Sequence, residues 1–572
     1  MNNKKIFKLK NIELLLFIII LLFLLNRIRY GVEISDDTFY IAEAFLDFKG
    51  STPIIDIWSQ TSLTTILYSW IVKLYFLIFK STEGIVLFFK YTFILYKIIV
   101  LFISFLFLKR YFDKEIVILS LISLFPFSYG ILINFSYNSL GISLLFLSEI
   151  ILTSSILEKN KNTKKWFFLL GGIISSFSVL AYPSLIIICI YNTIVLYILK
   201  ENKYYKYYIL SGIITAIIII LWLAISGGSF YKIYEGILII LKYNPYFKIE
   251  HYPLSRTLFF ILKILKFLIF KVFILALVIS IVFNKLLYKS FIKKSVLNTF
   301  FIITIPVSCI LLIKYFSEDF YLTILGITIN IVISLMLILY RKKIKKELFF
   351  FLYLPFNIFY FLATLGAFDG GLTRGYIFIS EIVLFFIILG DIVFNLKIKQ
   401  FYLFFIIFTI VFSMCILQNS YSLNYREAEM SELKYKVKTG IYKGLYTTQN
   451  RGESLEKLEK ELKKVVFPKD KVLFMETVPM GYLMVFEAIP FAPTTWDIMQ
   501  YSYGFNNDEI MQLFFAQKKD IPDKIIYIFT GRDKILSIDK KDYKFNNFVN
   551  KNYNFLEEKQ TGIYYFKIFI KK

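Results

Sequence analysis

The sequence predicts an α-helical polytopic membrane protein that ends in a small α/β domain, and three observations carry that reading. Apolar residues make up 58% of the 572-residue chain and charged residues only 19%, with a mean hydropathy of +0.65. A soluble domain is nearer half apolar and a quarter charged. The excess is gathered in long runs such as Ile12–Leu25 and Ile213–Ile225. After Leu417 the runs stop, and residues 420–572 carry 25 basic and 20 acidic side chains, a mixed soluble surface. A secreted soluble enzyme, a disordered scaffold and a disulfide miniprotein are excluded.

The net charge of +25 does not point to nucleic acid. Its basic residues lie between apolar runs, where the positive-inside rule places them. Cys189, Cys309 and Cys415 each sit alone in an apolar run, and His251 is the only histidine. A disulfide framework, a metal-ligand spacing or a Ser-His-Asp triad has almost no material here. Richness in Ile, Phe, Lys, Asn and Tyr fits an AT-rich, bacterial genome.

A helical span needs about 20 apolar residues. Runs of that kind cover Ile12–Tyr30, Ile85–Leu108, Ile116–Ile133, Leu140–Leu157, Trp166–Ala181, Leu185–Leu199 and Tyr208–Ile225. Further runs cover Leu258–Phe283, Val296–Ile313, Phe320–Tyr340, Leu348–Leu365, Gly375–Phe394 and Phe401–Leu417, about thirteen spans in all. Leu63–Phe79 is ambiguous, because it holds Lys73, Tyr68, Ser69 and Trp70. Charge decides it. With this run lying in the interface and the N-terminus cytoplasmic, the inner loops hold 25 basic residues and the outer loops 11. If it crossed, every later loop would swap sides and the bias would reverse. Leu63–Phe79 is therefore expected as an interfacial helix. Residues 1–419 form the transmembrane domain, and the tail 420–572 is extracytoplasmic. Arg27 and Arg29 follow Ile12–Leu25 with no small-residue cleavage site, which argues against a removed signal peptide.

In the tail, Glu453–Val466 has leucines at helical spacing. Lys471–Thr477 and Lys524–Thr530 read as buried strands near Pro468 and Pro522. Asp508–Lys518 reads as a helix, and Asn554–Glu557 with Gly562–Phe569 as a terminal hairpin. Helices alternating with strands make a small α/β domain. It has neither a Gly-rich phosphate loop nor a nucleophile elbow, and reads as a lid or acceptor-docking module.

Three outer segments are long: Gly31–Gly84, Gly227–Thr257 and the tail. Chemistry is expected in such loops. Directly after the first span, Ile34–Gly50 reads ISDDTFYIAEAFLDFKG. Asp36, Tyr40, Ala44 and Asp47 recur at helical period, so the segment predicts a helix along the membrane surface. The adjacent carboxylates Asp36 and Asp37 can bind a divalent cation or act as a general base. They can equally mark a helix start, where acids favour the dipole.

The order Asp36, Asp37, Tyr40, Ala44 and Gly50, followed by a short polar stretch and a long aromatic run, resembles the GT-C superfamily of membrane glycosyltransferases. The protein O-mannosyltransferases and the lipid A aminoarabinose transferases are its nearest members. The span number, the juxtamembrane helices and the outer C-terminal domain fit the same architecture. The resemblance implies a sugar linked to polyprenyl phosphate as donor, and a glycan, lipid or protein acceptor at the outer face of the cytoplasmic membrane. It also implies Asp36 as the catalytic carboxylate, with Asp37 its companion, either structural or metal-facing. Two features depart from the family. The second outer loop, Asn134–Ser139, offers Tyr137 and Asn138 but no acid, and Ser59 and Gln60 stand where a lysine is common. A lipid-linked glycan flippase and a catalytically inactive GT-C-like scaffold remain the alternatives.

A lipid phosphate at the outer face needs cations. Arg374 stands in the glycine-rich loop Phe368–Gly375, where it can grip phosphate through two parallel hydrogen bonds. Lys248, His251 and Arg256 form a second set in Tyr246–Thr257. Glu381, inside the membrane, is expected to contact substrate or to pair with Arg374. Tyr40, Gln60, Tyr137 and Asn138 complete the expected substrate contacts. Glu149, mid-span, is expected to join two helices.

Overall fold

Among the described residues ten α-helices open the chain, and their lengths already separate two kinds of element. In the computed structural model they are α1 (Asn3–Arg27), α2 (Asp36–Phe48), α3 (Ser69–Phe79), α4 (Ile85–Leu108), α5 (Lys114–Leu124), α6 (Tyr137–Leu157), α7 (Lys161–Ala181), α8 (Ile186–Ile198), α9 (Tyr205–Gly227) and α10 (Phe230–Tyr243). The structure describes residues 3–59, 61–128, 133–201, 203–243, 266, 268–288, 300, 303–308, 311, 318–365, 372–394, 400–422, 427–476, 479–495, 507–530 and 544–572.

Among the described residues, six helices are long and apolar enough to cross a membrane: α4, α6, α7, α9, Leu322–Leu339 and Lys346–Thr364. This is an integral membrane protein. Burial ranks them by place. The apolar window of α6 is 83% buried and that of α9 only 11%, so α6 runs through the middle of the bundle while α9 shows its side chains to lipid. The expected spans Leu258–Phe283 and Val296–Ile313 fall largely outside the described residues. Ile116–Ile133 differs from expectation, being helical only over the eleven residues of α5 among those described. Lys97 explains the stop: its Nζ donates to the carbonyls of Phe125 and Phe127 at 2.7 and 2.6 Å. Those groups would otherwise be left without a partner at the helix end.

α3 is also short. Eleven residues rise about 16 Å, roughly half of the ~30 Å hydrocarbon core. Contacts on both sides of it tie its two flanks to one part of the chain. Before α3, Trp58 N donates to Pro493 O at 2.6 Å and Asp56 pairs with Lys518 at 2.6 Å. After it, Gly84 N donates to Gly440 O at 2.9 Å. Both ends therefore meet the same C-terminal segment. Gly84 itself has φ +81°, a left-handed turn into α4 that suits glycine.

The C-terminal segment builds a five-stranded sheet. Two short strands, β1 (Tyr435–Lys436) and β2 (Tyr446–Thr447), precede it as a separate antiparallel pair. The sheet strands are β3 (Lys471–Glu476), β4 (Ile489–Pro490), β5 (Lys524–Thr530), β6 (Tyr553–Thr561) and β7 (Tyr564–Lys571). They lie in the order β4-β3-β5-β7-β6. β3 is parallel to β4 and β5, whereas β7 runs antiparallel to β5 and β6. The apolar run of β5 is buried over its first six residues, as a central strand covered on both faces must be. Helices Gln449–Val465 and Asn507–Lys518 stand where leucine spacing and amphipathic pattern predict them. Helices Pro479–Met484 and Lys544–Asn552 were not legible in the pattern. One cluster of buried apolar side chains runs from α1, α2 and α4 into this sheet, through Phe45, Phe89, Tyr442, Leu458, Met480 and Ile526. The first loop and the C-terminal sheet share a core.

Candidate functional site

The acid pair opens α2, and its first turn is held by an acid the sequence reading passed over. Ser35 stands at the N-cap position but makes no side-chain cap. Glu33 does that work. Its carboxylate accepts hydrogen bonds from Ser35 N at 3.0 Å, Asp37 N at 2.8 Å and Ser35 Oγ at 2.5 Å. Glu33 is 5% exposed. Burial, then the nearby charges of Asp36 and Asp37, push its carboxyl up to about 7.

Asp37 turns inward and is 2% exposed. Its Oδ2 pairs with Lys90 Nζ of α4 at 3.0 Å, and its backbone carbonyl accepts from Asn134 Nδ2 at 3.0 Å. Lys90 also donates to Gly31 O at 3.4 Å. Asp37 is thus committed to a buried ion pair between α2 and α4, and α2, expected along the membrane surface, is buried from Asp37 to Leu46. Asp36 is half-buried, the most accessible of the three acids. Among the described residues, no group of three or more His, Cys, Asp or Glu could hold a metal ion.

Helical period carries one face of α2 from Asp36 through Tyr40 to Glu43 and Asp47. Tyr40 is buried and lies within electrostatic reach of Tyr137 and Asp36. Glu43 is fully buried beside the hydroxyls of Ser59 and Thr61, and burial pushes its carboxyl up to about 8. Thr61 Oγ1 donates to Glu43 Oε2 at 3.4 Å.

Tyrosines lead from this face to Arg374. Tyr40 and Tyr137 have ring centroids 6.3 Å apart, and Tyr137 and Tyr182 5.3 Å apart. A capping box between Ser136 and Ser139 starts α6 and fixes Tyr137 and Asn138 in its first turn. Arg374 opens the tight helix Leu372–Glu381 and donates to the Tyr376 hydroxyl at 2.9 Å. It also lies within electrostatic reach of Tyr137 and Tyr182. Its Nε is buried and has no hydrogen-bond partner, so the guanidinium retains an unused donor. Asp36 and Arg374 therefore stand at the two ends of a row of tyrosines.

Glu381 stands apart. It forms no ion pair with Arg374; Asn330 Nδ2 and Asn357 Nδ2 donate to its carboxylate at 3.1 and 3.3 Å, inside the bundle. Glu149 accepts from Asn192 Nδ2 at 2.8 Å and joins α6 to α8. Gln60, Lys248, His251 and Arg256 lie outside the described residues. A cavity of about 620 Å³ lies away from the acid pair, between Thr82, Gly440, Glu459, Lys460 and Phe486.

Three participants escaped the sequence reading: Glu33, Lys90 and Tyr182. Lys90 had a usable signal, since a lysine inside an apolar span requires a partner. Glu33 had a weaker one, an acid three residues before a pair of acids at a helix start.

No family model matches the chain and no curated protein matches it. Among solved structures, the crystal structure of ArnT from Cupriavidus metallidurans in the apo state is similar over 97% of each chain, with 12% identity and a TM-score of 0.35.

Proposed function

We propose that this chain is a GT-C-type glycosyltransferase of the bacterial cytoplasmic membrane, moving a sugar from a polyprenyl-phosphate donor to an acceptor at the outer face. The observation that carries the reading is the division of labour among three acids. Glu33 caps α2, Asp37 is neutralised by Lys90, and Asp36, the least buried of the three, stands at the end of a tyrosine row leading to Arg374. In this mechanism Asp36 removes the proton of the acceptor hydroxyl or amine. The freed electron pair attacks the anomeric carbon. The bond from that carbon to the phosphate oxygen breaks, and the lipid phosphate leaves with its electrons against Arg374. A phosphate leaves without being protonated, so one base and one cation meet the main demand.

The test is transfer by purified protein in lipid, supplied with a panel of polyprenyl-phosphate sugars. Asp36→Asn keeps the shape but cannot take the proton. Transfer is expected to fall by about 10²-fold or more, the size of a general-base contribution, while donor binding persists. Near-parental turnover by Asp36→Asn overturns the reading. It would turn attention to a lipid-linked glycan transporter, for which the Asn330–Asn357–Glu381 group inside the bundle is the supporting feature.

A further inference from the structure

The segment that carries the acid pair is gripped from far along the chain. Tyr446 pairs with residues 29–31 as an added bridge: Gly31 N donates to Tyr446 O at 2.9 Å and Tyr446 N to Arg29 O at 2.7 Å. The rings of Tyr30 and Tyr446 stack at 4.9 Å. The next residue, Val32, is held by both of its backbone polar groups. Its N–H donates to Glu427 Oε2 at 2.8 Å, and its carbonyl accepts from Arg451 Nη1 at 3.2 Å. Glu427 and Arg451 pair with each other at 2.9 Å, and Thr447 Oγ1 donates to Glu427 Oε2 at 3.0 Å. The Glu427 side chain is 1% exposed. Val32 is itself buried and directly precedes Glu33, the cap of α2.

We propose that Glu427 and Arg451 are positioning residues for the acid pair, fixing Val32 from the C-terminal segment and through it Glu33 and the first turn of α2. This rests on the reading that Asp36 carries the chemistry. A charge pair with its carboxylate buried is a costly way to hold one backbone unit of an ordinary loop. It is well suited to a segment whose displacement by about 1 Å would spoil catalytic geometry.

The experiment uses the full chain in lipid nanodiscs and two readouts. The first is amide hydrogen exchange in Arg451→Gln, Glu427→Gln and Arg451→Lys. In both Gln variants the amides from Val32 to Asp37 are expected to exchange about tenfold faster, as the loss of one charge-assisted hydrogen bond implies. The strands β3 and β5 should keep their protection. The second readout is transfer. kcat is expected to fall about 10–100-fold with KM for donor nearly unchanged, and Arg451→Lys should restore part of it. Unchanged exchange over Val32–Asp37 overturns the proposal whatever the activity does. Faster exchange with parental kcat overturns it as well. Failure of the enzyme reading is seen separately, in the turnover of Asp36→Asn in an otherwise unaltered chain.

Discussion

Replacing Lys90 by Met removes the cation from a buried pair and keeps the bulk and the apolar stem. The pair is 3.0 Å long, with side chains 7% and 3% exposed. Breaking such a pair by removing one partner costs about 3–5 kcal/mol, because the other charge is stranded. Water cannot reach Asp37, and Glu33 and Asp36 stand nearby. Lys90→Met should therefore lose about 3–5 kcal/mol. The assay is unfolding in detergent micelles for Lys90→Met, Asp37→Asn and the double variant. The double variant should recover much of the loss, with a coupling of about 2 kcal/mol or more. Coupling under about 0.5 kcal/mol, the level of independent sites, would refute the reasoning.

Three further outcomes are expected. Glu43 is buried with its carboxyl raised to about 8, so the folded chain holds a proton that the unfolded chain releases near pH 4.5. That stabilising proton is lost as pH rises from about 4.5 towards 8, and Glu43→Gln should flatten the fall in melting temperature across this window. Arg374→Ala should weaken binding of a polyprenyl phosphate, measured by titration in nanodiscs, with Arg374→Lys restoring only part because lysine lacks the planar fork; undiminished binding would move the phosphate elsewhere. A cysteine at Lys457, exposed on the Gln449–Val465 helix, should react with an impermeant maleimide on spheroplasts, and labelling only after lysis would reverse the sidedness.

Much of the architecture was legible because it depends on local pattern. An apolar run such as Tyr205–Gly227 can satisfy its backbone in lipid only by coiling on itself. The run Lys524–Thr530 became the central strand because its side chains are apolar and β-branched or aromatic on both faces. Asp36 and Tyr40 could be placed on one helical face by counting. The end of α5 could not, because it depends on Lys97, about 30 residues away in another helix.

The sequence by itself determined that the chain lives in a membrane, that long apolar runs such as Tyr205–Gly227 are helices, and that two adjacent acids open a helix. Only the tertiary structure decided what each acid does. Lys90 claims Asp37 from 53 residues away, and Arg451 grips Val32 from 419 residues away. Periodicity records which face of an element is apolar, because every residue on that face meets the same kind of neighbour. It does not record which single charge a buried carboxylate meets. That choice is made when elements pack, where an unpartnered charge is too costly to leave. The same packing joins Tyr40 and Tyr137 to Arg374, and so relates an acid near the start of the chain to a cation more than three hundred residues later.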